Sequence, residues 1–312
     1  MFSRRCCLLA GTLLAGSLPA QAEGGRHRVL TALPALQALT AALCNATSID
    51  AVRLPSQAAV PMEALANALS RQDTAAFREA EAVVTLSSLW RADPLFRTAR
   101  GHNLRLIEID AAYSWDDAKL ALAVMHPPAN EFFTDDTGAP KNGLSPFAWL
   151  SPINAMRMAG AVAGDLARLS PVDAPRIKRN LAELETRIRR LKADCGARLA
   201  KLADPRLASL ADEFVYLFED FGLLVEGWFI KQDVEWTDAD RSAFTRYLRQ
   251  RDIRVVVHKW MPNDKIHSAI TEAGARLLVL DAGNPGLWAN AAVGYEALVQ
   301  SNLDALLSAF ET

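Results

Sequence analysis

Short apolar runs alternate along the chain with longer stretches whose apolar positions recur every three or four residues. The short runs fall at residues 28–33, 82–86, 104–109, 223–225, 254–257 and 276–280. They are rich in Val, Ile and Leu and barely interrupted by polar residues, as expected of parallel strands buried on both faces. The longer stretches, at 34–46, 62–70, 152–169, 238–251 and 265–273, carry the period of amphipathic helices. Strand and helix patterns that alternate in this way predict an α/β fold.

The middle of the chain departs from that rhythm. From Pro171 to Leu202 there is no strand pattern. Ile177, Leu181, Leu184, Ile188, Leu191, Cys195, Leu199 and Leu202 form one apolar stripe. This predicts a single helix of about 30 residues, roughly 45 Å long. Its other face is basic, with Lys178, Arg179, Arg187 and Arg190 among others, and reads as a solvated surface. Asp173 is placed to complement the positive end of the helix dipole. The expected organisation is a leader at 1–22, an α/β lobe at 23–170, a linking helix at 171–202 and a second α/β lobe at 203–312. Ligands of such sheets bind beyond the carboxyl ends of the strands, so the expected site is a crevice between the lobes.

Residues 1–22 read as an export signal. Arg4 and Arg5 precede an apolar run too short to span a bilayer, and Ala20-Gln21-Ala22 forms a small-x-small cleavage site. A twin-arginine route is weakly suggested, and the context of Cys6 and Cys7 does not favour lipid attachment. The mature protein is therefore expected in the periplasm. Its two cysteines, Cys44 and Cys195, are open to a disulfide or to two separate buried thiols.

Composition narrows the function. Of 312 residues, 51% are hydrophobic and 22% charged, with a net charge of -2. The balance excludes dominant disorder, and no basic excess points to nucleic acid. Charges spread along the whole chain argue against a polytopic membrane protein. No GxSxG, HExxH, P-loop or GxGxxG motif occurs, so enzymatic chemistry is not expected. Asp212 with Glu213, and Glu219 with Asp220, read as solvated helix charges. The segment 126–143, with His126, Glu131, Asp135 and Asp136, reads as an acidic surface loop.

Several segments, in order, resemble the periplasmic metal receptors of the ZnuA/TroA type, the solute-binding components of zinc and manganese ABC importers. Residues 29–36 resemble that family's opening strand and helix, and 80–84 its "ADLVV" strand. Residues 145–152, Ser-Pro-Phe-Ala-Trp-Leu-Ser-Pro, resemble its "DPHxWLDP" signature. Residues 171–191 resemble its strut helix, and 213–223 its "HxxFxY…YGL" segment. Residues 273–281 are similar to its last strand, and 295–310 to its closing helix, with Asn302 in place. The resemblance implies a two-lobed receptor that hands its ligand to an inner-membrane ABC permease.

The resemblance also implies a divalent metal, zinc or manganese, held between the lobes by imidazoles and a carboxylate. In this chain most of those ligands are replaced. No His occurs between Arg28 and Gly101, and the other positions fall at Phe147, Ala211, Lys259 and Asp281. Only Asp281 keeps a ligand-type side chain. A protonated lysine cannot coordinate metal, and Lys259 is placed to pair with Asp281 instead. Phe147 and Trp260 would add apolar walls. Strand alternation turns His258 and Trp260 away from Lys259 unless the strand has ended, although His258 stays a candidate metal ligand beside Asp281. The expected crevice set is thus Phe147, Ala211, Lys259, Trp260 and Asp281. Three outcomes remain open: a metal held by unusual ligands, an organic molecule or metal chelate, or a crevice plugged by Phe147 and a Lys259–Asp281 pair.

Overall fold

The computed structural model describes residues 26–56, 60–114, 121–130, 133, 143–284 and 294–311. The leader at 1–22 and the acidic residues Glu131, Asp135 and Asp136 lie outside the described residues.

Two four-stranded parallel sheets form two lobes. The first contains β1 (His27–Thr31), β2 (Ile49–Arg53), β3 (Ala82–Thr85) and β4 (Ile107–Asp110), in the order β2-β1-β3-β4. The second contains β5 (Arg206–Ser209), β6 (Leu224–Trp228), β7 (Val255–His258) and β8 (Arg276–Val279), in the order β6-β5-β7-β8. Helices of the first lobe are α1 (Pro34–Cys44), α2 (Leu65–Leu69), α3 (Thr74–Arg78) and α4 (Leu95–Arg100). Next come α5 (Pro152–Leu169) and α6 (Ala174–Leu199). The second lobe adds α7 (Val215–Phe221), α8 (Asp238–Gln250), α9 (Asp264–Glu272) and the closing helix α10 (Tyr295–Glu311).

Local chemistry sets the helix boundaries. Ser151 caps α5 by accepting the Asn154 amide at 3.0 Å, with Pro152 in the first turn. Thr237 and Asp240 form a reciprocal capping box at the start of α8. Gly222 ends α7 in the left-handed conformation that only glycine takes cheaply. The long helix is shorter than the expected span of 171–202, because Pro171 and the turn after it delay its start to Ala174 and it ends at Leu199. Asp173 sits at its N-terminus but does not cap it. Its carboxylate instead accepts Ser48 Oγ at 2.5 Å and Ser170 Oγ at 2.8 Å, tying the helix start to the loop before β2.

Two strands escape the pattern of apolar runs. Edge strand β2 reads Ile-Asp-Ala-Val-Arg and is half-buried after its first residue. Central strand β5 reads Arg-Leu-Ala-Ser, and its small residues are fully buried between neighbours on both sides. Conversely, residues 104–106 do not enter β4. Asn103 folds that approach into a turn, donating to Ala80 O at 2.7 Å and accepting the Arg105 amide at 3.0 Å, and Leu104 is left exposed.

One apolar core runs through both lobes, from Val29 and Leu36 through Trp149 and Leu184 to Val257 and Leu280. A second cluster lies on the far face of the second sheet, around Phe229, Phe244 and Ile266. There a side chain at Gly227 would meet the Phe229 ring and the Tyr247 hydroxyl at 2.9 Å, so close packing requires glycine. Helix α6 packs against α1, α5 and α10, and two of its basic residues reach across to α10: Arg187 to Glu296 at 2.6 Å and Arg198 to Asp304 at 3.1 Å. Cys44 and Cys195 are separate, buried thiols. Burial, with Asp173 and Asp50 nearby, pushes the Cys44 thiol up to about 12. Among the described residues no helix is long and apolar enough to cross a membrane.

Candidate functional site

In each sheet the strand order reverses direction at one point, between β1 and β3 in the first and between β5 and β7 in the second. Crevices open at such switch points, beyond the carboxyl ends of the strands. Ala211 and Glu213 follow β5, Lys259 and Trp260 follow β7, and Asp281 follows β8, so the second sheet directs all five toward that end.

A cavity of about 620 Å³ lies there. Lys259, Trp260 and Asp281 line it from the second lobe, Asn302 from α10, and Glu63 from the turn after β2 of the first lobe. Asn284 also lines it and reaches across, its Oδ1 accepting the Met62 amide at 2.8 Å.

Lys259 is the centre of the arrangement. Its ammonium forms an ion pair with Glu213 Oε1, and Nζ lies 4.6 Å from the centre of the Trp260 ring. Asp281 is therefore not its partner, contrary to the pairing that the sequence suggests. Glu213 is not a solvated charge either: the residue is 5% exposed, and its Oε2 is buried without a hydrogen bond. Burial pushes its carboxyl upward, and the Lys259 charge opposes that rise. Burial of the acid makes Lys259 the nearer and stronger counter-charge to it than to the half-exposed Asp281.

Asp281 is held through its backbone. Asn302 accepts its amide at 2.8 Å and donates to its carbonyl at 2.7 Å. Its Oδ1 accepts the Gly283 amide at 2.7 Å. The opposite wall is equally fixed. Trp260 Nε1 donates to Asp233 Oδ2 at 3.2 Å, and the ring stays 44% exposed. Because β7 ends at His258, Lys259 and Trp260 leave strand alternation and both reach the cavity.

The remaining candidates lie elsewhere. His258 is 3% exposed and does not line the cavity; its Nε2 lies 3.4 Å from Asp233 Oδ1 and its ring 5.0 Å from that of Trp260. Burial lowers its pKa against the opposing pull of Asp233. Phe147 belongs to the core, with its ring edge-on to Trp149 at 5.4 Å. Ala211 is 2% exposed and accepts the Ser209 hydroxyl at its carbonyl. Neither Phe147 nor Ala211 lines the cavity, and the plug of Phe147 with a Lys259–Asp281 pair does not form. Sequence reasoning missed Glu63, Gln232, Asn284 and the role of Glu213. Glu63, Gln232 and Asn284 come from turns that carry no motif, Glu213 sits within a resembled segment that gives it no role, and only the fold assembles them.

As a metal centre the set is poor. Zinc and manganese sites need several imidazole, thiolate or carboxylate donors, and here an ammonium occupies the middle. Among the described residues no three of His, Cys, Asp and Glu converge in a way that could hold a metal ion.

Comparison with known proteins agrees with this architecture. The sequence model of the family described as zinc-uptake complex component A, periplasmic (ZnuA), matches residues 52–309. No curated protein matches the chain. Among solved structures, a mutant of FpvC from Pseudomonas aeruginosa is similar at TM-score 0.71 and 20% identity, over 91% of this chain and 99% of that one. FpvC has also been solved in complex with Mn2+. A crystal structure of ZnuA is similar at TM-score 0.67 and 18% identity, over 91% of this chain and 99% of that one. Zn(II)-bound AdcA from Streptococcus pneumoniae is similar at TM-score 0.70 and 16% identity, over 92% of this chain and 58% of that one.

Proposed function

The chain belongs to the periplasmic zinc-uptake component A family of solute-binding proteins, and from that premise we propose that it is the receptor of an ABC importer whose cargo is an organic solute or a metal chelate. The receptor is exported, loses its leader near Ala22, and captures the solute in the cavity at Lys259, Trp260 and Asp281. It presents the loaded crevice to an inner-membrane permease. Its work is binding and docking, with no bond made or broken.

One observation carries this reading: Lys259 stands in the crevice, ion-paired to buried Glu213 and covered by the Trp260 ring. A bare dication beside Asp281 would find no lone pair on that ammonium and a single carboxylate where zinc and manganese sites need several donors. A volume of about 620 Å³ is in the range of small-molecule sites. Aromatic surface with a few fixed polar groups is the usual lining of such sites.

The test is metal content and thermal melting of the mature chain, residues 23–312, with zinc or manganese ions alone. We expect no stoichiometric metal and no shift in melting temperature. A receptor for the bare ion at 100 times its dissociation constant would gain about 2.7 kcal/mol, or roughly 5 °C or more for a protein of this size. A shift of that size overturns the proposal.

A further inference from the structure

We infer that the solute taken by this cavity is a small organic cation, bound by Asp281 with Trp260 as its apolar wall and Glu63 of the first lobe at the mouth. The inference rests on the organic-solute reading above and adds the charge of the ligand.

The charges around the cavity carry the argument. The positive charge of Lys259 is already matched by Glu213. Asp281 and Glu63 both line the cavity, and among the described residues neither makes an ion pair. The cavity therefore presents uncompensated negative charge. An anion would have to sit beside Asp281 and Glu63 and would gain little from a lysine already paired. A neutral solute would cover Asp281 and strip its water without supplying a counter-charge, which is costly. A cation supplies that counter-charge.

Geometry supports the same ligand. Gly283 holds one oxygen of Asp281, and Asn302 clamps its backbone on both sides. The second carboxylate oxygen is thus positioned before any ligand arrives, and little ordering cost remains for binding. Trp260 is pinned by Asp233 and exposes its ring, and it already attracts one ammonium, that of Lys259. Because Lys259 already takes up that cation–π contact, the exposed part of the indole serves as an apolar wall for the hydrocarbon of an organic cation. Val279, Leu280 and Ala305 add apolar lining for that hydrocarbon. No bare metal shares this logic, because a metal uses neither an indole face nor an aliphatic wall.

The test is binding of agmatine, putrescine and choline to the mature chain at low ionic strength, by calorimetry and thermal melting. Glucose and citrate serve as neutral and anionic probes, and zinc and manganese as bare ions. We expect at least one of the three cations to bind. Asp281→Asn should weaken that binding at least tenfold and Trp260→Ala roughly three- to tenfold, since a charge contact exceeds a single exposed ring contact. Glu63→Gln should weaken it a few-fold and keep the rank order, being exposed and screened. Asp281→Asn keeps an oxygen for the Gly283 amide, and Glu63→Gln is a surface change, so melts without ligand should match the parent chain. Binding of citrate or glucose, or no response to any of the three cations, overturns the cationic assignment and leaves the organic-solute reading standing. Cation binding unchanged in Asp281→Asn also overturns it. Stoichiometric zinc or manganese overturns both.

Discussion

At the scale of single residues, the end of β7 shows how far sequence pattern reaches. Lys259 and Asp281 stand out from the sequence as a cation and an anion at strand ends, and the cavity contains both. The true partner of Lys259 is Glu213, separated from it by 46 positions in sequence and buried behind it. Adjacent Asp212 and Glu213 look alike in sequence, and only burial separates them. Replacing Lys259 by Met should leave Glu213 as a buried carboxylate without its counter-ion. Breaking such a pair costs about 3–5 kcal/mol when fully buried. The Lys259 side chain is 31% exposed, so solvent screening brings the expected cost below that range, to about 2 kcal/mol. Denaturant melts measure it, and Glu213→Gln in the same chain should recover most of the loss. The pH dependence has a defined sign. Glu213 is raised by burial, and losing Lys259 raises it further. Its folded carboxyl then binds a proton more readily than the unfolded one, so the penalty is largest at alkaline pH and shrinks as the pH falls toward the ordinary glutamate range.

At the scale of elements, most helices and six of the eight strands among the described residues coincide with the amphipathic stretches and short apolar runs of the sequence. The exceptions have physical causes. In β5 only Leu207 is a large apolar residue, and Ala208 and Ser209, though fully buried, carry no strand pattern. In β2 the edge position admits Asp50 and Arg53. Junctions between elements are less legible still. Helix α1 ends at Cys44, and the carbonyls of Leu43 and Asn45 both accept the Asn180 side-chain amide of α6, each at 2.8 Å. Asn180 is 4% exposed, so no solvent replaces it. Asn180→Ala should cost about 1–3 kcal/mol, the penalty for stranding buried carbonyls. Asn180→Asp should be at least as harmful, because it can accept but not donate. Thermal melts of the two variants check this.

At the scale of the whole molecule, the lobes are joined by more than the long helix. Trp149 Nε1 donates to Ala282 O at 2.9 Å, and Tyr295 donates to Trp149 O at 2.7 Å. Tyr216 of the second lobe donates to Ser145 O at 2.9 Å. These bonds lie within or beside the apolar core that both lobes share. Opening the crevice by a wide hinge motion would break that core, which close packing resists. Ligand binding should therefore change the radius of gyration by less than about 1 Å, in keeping with the small backbone shifts of pre-organised complexes. Small-angle scattering with and without a bound probe measures this, and a larger compaction would show that the lobes hinge.

The amino-acid sequence alone determines the two-lobed α/β architecture, the long helix and the family likeness. Each follows from one-dimensional periods of hydrophobicity or from the order of short segments. The resemblance further implies that Phe147, Ala211 and Lys259 stand where the family carries imidazoles or a carboxylate. Tertiary structure alone decides which charges meet. It buries Glu213 against Lys259, leaves Asp281 facing the cavity, and draws Phe147 into the core. The physical reason is that burial and distance set the strength of a charge, and both arise only when elements far apart in the chain are packed together.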